Sequence, residues 1–531
     1  MGDHNSEATA KIEDIANGID ALNISGRRSG TRPRTSLNDT LHRFDEAAVT
    51  LTEQAATVVK LLSTDGTLNK RDAESICLVQ TRGLQLARFA QLLIDSAIPA
   101  LVRQVISLGA QTSFPVDDLL EHFKKSIENI TQRVIRTSGN EDILRKIAEE
   151  CYHQAASPTG ELNPGDYSAT SKWAHSTDEG ENWNKFWTRA LCNCPGGPTL
   201  FQPNEDSVPK PPTKSPPYLF RAWDVNSTGV NAEDVIASIL SKDDKANRHK
   251  VDIFSMDYQQ ASEMLHDHLS KGTFTSLVTD NLVSWSSSLM FVIQYANWRL
   301  CNTWYNPQDD TRICVVDTKR FPRGQFARDM WLLESFRHAK FKPKEIQIRN
   351  LRLVRTGFDN GEYLSQGKLH LEGRSYTFSV LALKHAGLWD LYPEFNIDNA
   401  EPTDPVKKDW TNYIKDLRQK WLAIRKTTKA EVQCALKIAE KCFPGFDTDD
   451  MALLLLSFRE RKLHPESPSF QNPFADLLSP VSAEGLAYEE PAEVNRCLTL
   501  RKRLSKLGEA SGERGMKLFE QLYVLEDADE D

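Results

Sequence analysis

The chain has 531 residues, of which 40% are hydrophobic and 26% charged, with nine cysteines and a formal net charge of -9 at pH 7. That length suits about two to four domains, and the composition excludes a fibrous or fully disordered chain. The negative charge works against binding a phosphate backbone, so no nucleic-acid partner is expected.

The cysteines form no even framework and are read as reduced thiols of an intracellular protein. The location expected is cytoplasmic, with a nuclear option from Arg27, Arg28, Arg32 and Arg34. No apolar run reads as long enough to cross a bilayer and no signal-peptide core opens the chain, so no membrane partner is expected. The opening Met1-Gly2-Asp3-His4-Asn5-Ser6 fits the loose pattern for myristoylation of Gly2, weakened by the acidic residue after the glycine.

In chain order, residues 1–35 are polar and read as a disordered tail. Residues 36–155 read as a helical bundle. Leu41, Phe44, Ala48, Leu51, Ala55, Val58 and Leu62 recur at three- and four-residue spacing in its first helix. A second helix starts near Asp72, and Pro99 should kink or break it. Phe114-Pro115 opens a third, carrying Leu119 to Val134, and a fourth spans about 140–152.

Residues 156–217 read as a Pro-rich linker. Its Cys192-Asn193-Cys194 supplies one cysteine pair where a zinc site needs four ligands, so no metal is expected.

The central domain, 218–396, opens on a strand containing Arg221. A turn at 226–229, a helical 236–241 and a charged loop at 243–249 follow. A helix over 257–270 carries His266 and His268, which at that spacing point to different faces. A serine-rich strand over 282–288, a helical segment and a doubly buried strand over 312–318 come next. The acidic, aromatic stretch 329–334 follows. Residues 345–353 alternate like a strand, 361–367 form a turn-rich bridge, and 368–372 with 376–381 carry the signature of a hairpin around Gly373-Arg374. Residues 397–525 return to helices, and 526–531 form an acidic tail.

The arginine strand, the Leu282-Val283-Ser284-Trp285-Ser286-Ser287-Ser288 strand and the Val315-Val316-Asp317-Thr318 strand, in that order, resemble the ADP-ribosyltransferases of the cholera and heat-labile enterotoxin type. They also resemble a family of fungal proteins with an enterotoxin-like domain. The likeness covers about a third of the chain. It implies an α+β fold with an ADP-ribosyltransferase-like mixed β core between helical flanks. It further implies NAD as cofactor and an unknown protein as acceptor. Arg221 would grip the cofactor, Ser284 and Ser286 would brace the pocket, and His266 or His268 would stand for the family's histidine. A carboxylate must meet the positive charge that develops as the nicotinamide bond breaks. No Glu-x-Glu stands where the family has one. Asp329 or, in a shifted register, Glu334 takes that place, and the missing motif argues against retained activity. The other reading is a non-catalytic scaffold acting through its helical regions.

Overall fold

The computed structural model describes residues 36–65, 69–110, 116–139, 142–165, 177–203, 208–209, 215–242, 251–270, 280–302, 311–354, 356–465 and 488–526. The expected N-terminal tail, most of the proline run before 215, the loop at 243–249 and residues 527–531 of the acidic tail lie outside these. Two compact units result, residues 1–93 and 94–531.

The first unit holds helix α1, Leu37–Asp65, and the first part of α2, Lys70–Gly109. α2 continues through Pro99 rather than breaking there. Ile98, Val102 and Val105 are buried around that point, and their packing outweighs one missing backbone bond. Among the described residues α2 is long and apolar enough to cross a membrane by length and composition, which the sequence reading missed.

In the second unit, the end of α2 packs with α3 (Asp117–His122), α4 (Lys124–Thr137), α5 (Ile143–Ala156) and α6 (Thr177–Asn193) around one core. The expected single third helix is thus two, joined at Phe123. α6 falls within the stretch read as linker. Trp183, Phe186 and Trp187 stand at helical spacing on it and are fully buried.

The main sheet has the order β6-β7-β4-β1-β5-β9. Its strands are β1 (Tyr218–Trp223), β4 (Leu282–Ser286), β5 (Arg312–Asp317), β6 (Ala327–Arg328), β7 (Glu362–Gln366) and β9 (Ser375–Ser379). Every pairing in it is antiparallel. A smaller sheet joins β2 (Val230–Asn231), β3 (Val235–Ala237) and β8 (Lys368–His370). So mixed helix and antiparallel sheet, an α+β architecture, is what the chain forms.

Four local expectations fail. Within residues 361–367, Glu362–Gln366 are not a turn but the fully buried strand β7. β8 and β9 do not form a hairpin, because β8 pairs with β3 and β9 with β5, in different sheets. Residues 343–353 form helix α10, Pro343–Leu353, not a strand: Pro343 stands in its first turn and Glu345 accepts from the Lys342 amide at 2.7 Å. In the 236–241 stretch, the expected helix is β3 followed by a single 3-10 turn, Ile239–Ser241.

Alternation along β1 covers both faces of the sheet. Tyr218 and Phe220 enter one core; Leu219 and Trp223 enter another, with Val283, Trp285, Cys314 and Val316. The first core is shared with the C-terminal helices. α15 (Lys429–Cys442), α16 (Thr448–Leu456) and α18 (Met516–Leu522) bring Val432, Leu453 and Phe519 into the same core as Ile313, Val315 and Phe378. Sheet and C-terminal helices are therefore one packing unit.

Candidate functional site

Arg221, Ser284 and Glu362 sit on three neighbouring strands, β1, β4 and β7. β1 and β4 pair at the single position Phe220↔Ser286. Beside it the Arg221 Nη1 donates to the Ser284 carbonyl at 2.9 Å, where a ladder bond would otherwise fall. Its Nε and Nη2 donate to Asn231 Oδ1 at 3.2 and 3.1 Å. No carboxylate pairs with Arg221 among the described residues, and burial pushes its guanidinium down to about 10. A desolvated cation with only neutral oxygens around it suits an anionic ligand group.

β4 pairs with β7 so that Ser284 faces Leu364 and Ser286 faces Glu362. Ser284 and Glu362 are then diagonal neighbours on one face, and the Ser284 hydroxyl donates to Glu362 Oε1 at 2.8 Å. The hydroxyl also meets His268 Nε2 at 2.9 Å, while the ring's Nδ1 faces Asp280 Oδ2 at 2.7 Å. His268 belongs to helix α7, Tyr258–Ser270, and Asp280 precedes β4 and accepts from the Leu282 amide at 2.8 Å. A carboxylate, an imidazole, a hydroxyl and a second carboxylate form one unbroken chain.

Glu362 Oε2 is held by Arg352 of α10 at 2.5 Å, and the same guanidinium reaches Asp329 Oδ2 at 3.4 Å. Asp329 opens helix α9, Asp329–Ser335, and is 1% exposed. Its Oδ1 accepts from Arg328 at 3.2 Å and from the Met330 amide at 2.8 Å. Burial raises its carboxyl to about 6, against the pull of Arg328 and Arg352. Arg328 is in turn clasped by Asp359 at 2.6 and 2.7 Å. Burial works to lower its ionisation, but Asp329, Asp359 and Glu490 outweigh that and raise it.

The sequence-predicted residues divide accordingly. Arg221 reaches Ser284 at its backbone carbonyl, while the Ser284 hydroxyl meets Glu362 and His268. Ser286 turns away, its hydroxyl on the Asn360 carbonyl at 2.6 Å. His266 is buried with Nδ1 at 2.7 Å from the Ser262 carbonyl; its neighbour two places on, His268, is the one at the serine. Asp329 is sealed behind Arg352. Glu334 lies further along α9, 3.5 Å from Arg349. Glu362, Asp280 and Arg352 were not anticipated. The available signal for Glu362 was its place on the first strand position after Gly361, which a turn reading hid.

A cavity of about 500 Å³ opens elsewhere, lined by residues of α4, α5 and the β8–β9 turn. Its charges are mostly spent on one another: Arg145 and Arg374 on Glu149, Lys146 on Glu372 and Arg320 on Asp317. Among the described residues no cluster of histidine, cysteine and carboxylates could hold a metal ion.

One family matches the chain, described as a domain of unknown function (DUF7587), over residues 214–370. That span contains Arg221, His268, Asp280, Ser284, Arg352 and Glu362. No curated protein and no solved structure matches the chain.

Proposed function

We propose that residues 214–370 are an ADP-ribosyltransferase-like domain that binds NAD between Arg221 and Glu362, with a protein as acceptor. The observation that carries this reading is the meeting of Ser284 and Glu362 at 2.8 Å, with Arg221 of the next strand bonded to the Ser284 carbonyl. Arginine, serine and glutamate are the residue types that the enterotoxin-type resemblance calls for. Glu362 takes the role first given to Asp329 or Glu334.

The residues present fit NAD on one independent ground: Arg221 is partly buried and has no carboxylate of its own among the described residues. NAD would supply the bond between ribose and nicotinamide that the transfer breaks. Arg221 would hold a phosphate or ribose oxygen. Ser284 fixes the rotamer of Glu362 by donating to one of its carboxylate oxygens. The charge of Glu362 would stabilise positive charge developing at the sugar. His268 would hold Ser284, and Asp280 would hold His268.

A second reading, cofactor binding without transfer, is favoured by one contact. Arg352 at 2.5 Å neutralises Glu362, which weakens it as a stabiliser of a cationic sugar.

Calorimetry of NAD against the full chain and its Arg221→Ala variant tests the binding. Saturable binding that the variant loses supports both readings. Release of nicotinamide by wild type but not by Glu362→Gln then selects the first. No heat at millimolar NAD ends the proposal.

A further inference from the structure

The first unit leaves a large apolar surface uncovered. On α1, steps of four and three residues alternate unbroken from Leu37 to Leu62, and each of the eight positions is alanine or a large apolar residue. That is a 3.5-residue period. A straight helix packed into a globular core would drift from it by about 20° per heptad, whereas a helix wound against another helix keeps it. Yet Leu37 is 75% exposed, and Leu41, Phe44, Val58 and Leu62 are exposed as well. On the part of α2 within this unit, Leu84, Phe89 and Leu92 are likewise exposed, so the chain's own two helices leave much of their apolar faces uncovered.

We propose that this unit is a self-association surface, and that a second copy of the chain covers it by laying its α1 and α2 against these two. Three observations select a second copy.

The first is charge. α1 carries five acidic and two basic residues, whereas residues 70–93 carry four basic and two acidic. One copy's α1 therefore meets the other copy's α2 with opposite net charge, and each chain brings both halves of the pair. The positions flanking the α1 seam hold one charged residue, Asp45, so like-charge repulsion does not oppose pairing.

The second is area. α1 is about 44 Å long and residues 70–93 span about 36 Å. A strip about 10 Å wide along both offers roughly 800 Å² per copy, what a stable dimer takes from each partner.

The third is that a lipid surface fits poorly. α1 is net acidic, which an anionic membrane repels. The second half of α2, which helps give that helix its span-like composition, is packed in the core of the other unit through Ile98, Val102 and Val105.

Light scattering on the eluting full chain, over roughly 1 to 100 µM, reads the association directly. The wild type is expected at twice 60.1 kDa. A Leu41→Glu/Leu51→Glu double variant is expected at the single-chain mass, and Glu46→Asp/Glu53→Asp, off the seam and unchanged in charge, at the double mass. Should the seam variant lose its helical signal, energy transfer between differently labelled wild-type copies supplies the second measurement: exchange of subunits is expected. A wild type that stays at the single-chain mass throughout overturns the proposal. So does a seam variant that keeps the double mass. Flotation of single-chain wild type with neutral phosphatidylcholine vesicles would overturn it in favour of lipid.

Discussion

Ser284 and Glu362 stand 78 residues apart in sequence and 2.8 Å apart in space, hydroxyl to carboxylate. A serine hydroxyl has one proton to give. With that proton directed at Glu362, the His268 Nε2 must bring its own to the serine oxygen at 2.9 Å. The serine is thus a relay between two ionisable side chains, and its loss is felt on both sides.

Ser284→Ala is accordingly expected to lower stability by about 1–3 kcal/mol, the cost of leaving partly buried polar atoms unpaired. Combined with Glu362→Gln, the two changes should fall short of additivity by about 0.5–3 kcal/mol. Urea unfolding of the four proteins in the cycle measures this. Additive losses would mean that the hydrogen bond contributes nothing.

Asp329 gives a pH signature. Burial raises its carboxyl to about 6 in the folded chain, against about 3.9 for a free side chain. Between these values the folded state holds the proton and the unfolded state has released it, so stability falls as pH rises from about 4 to 6 and the cost is constant above. Two units correspond to about 3 kcal/mol, as an order of magnitude. Asp329→Asn should remove this slope, so the variant's unfolding midpoint should gain on wild type as pH rises from 4.5 to 6.5. A midpoint difference that ignores pH would refute the assignment.

Glu493 ties the C-terminal helix α17, Ala492–Ser511, to the sheet domain. It accepts from the Ser288 hydroxyl at 2.5 Å and from Arg418 at 2.8 and 3.0 Å, at 3% exposure. Burial opposes its ionised form, but Arg418 outweighs that and holds its carboxyl below the usual range. Glu493→Ala strands the Arg418 charge and should cost about 3–5 kcal/mol. Limited proteolysis should then cut the wild type more slowly near 488–493 than the variant. Equal cutting rates would show that the contact does not hold the segment.

The sequence was legible where apolar runs carry the structure. β1, β4 and β5 were visible because Leu219, Phe220, Val283, Val315 and Val316 must be covered on both faces, and with them came Arg221 and Ser284. β7 was hidden because Glu-Tyr-Leu-Ser-Gln has no apolar alternation. Its polar groups are satisfied inside, Ser365 by the Trp285 indole at 2.9 Å and Gln366 by the Ile253 amide at 2.7 Å, partners that local pattern cannot show. Flanking Gly361 and Gly367, both at positive φ, added a turn signal that was true of the ends alone. Glu362 was lost with that strand. In α10, Ile346 and Ile348 suggested a period of two, while Pro343 and Glu345 already marked the start of a helix. α6 had Trp183, Phe186 and Trp187 one helical turn apart, obscured by the proline- and glycine-rich residues around them.

The shared core has a consequence for how the chain is made. Phe220, on the first strand, belongs to a core that also holds Phe519, which leaves the ribosome some 300 residues later. At synthesis rates of about 5–20 residues per second, the core that Phe220, Ile313 and Val315 enter stays incomplete for about 15 to 60 seconds. During that interval nascent apolar strands are open to pairing with other chains, so the supply of a chaperone that shelters them is expected to limit the yield of folded protein. Slowing translation should not help this protein, because the protection it awaits is encoded at its far end.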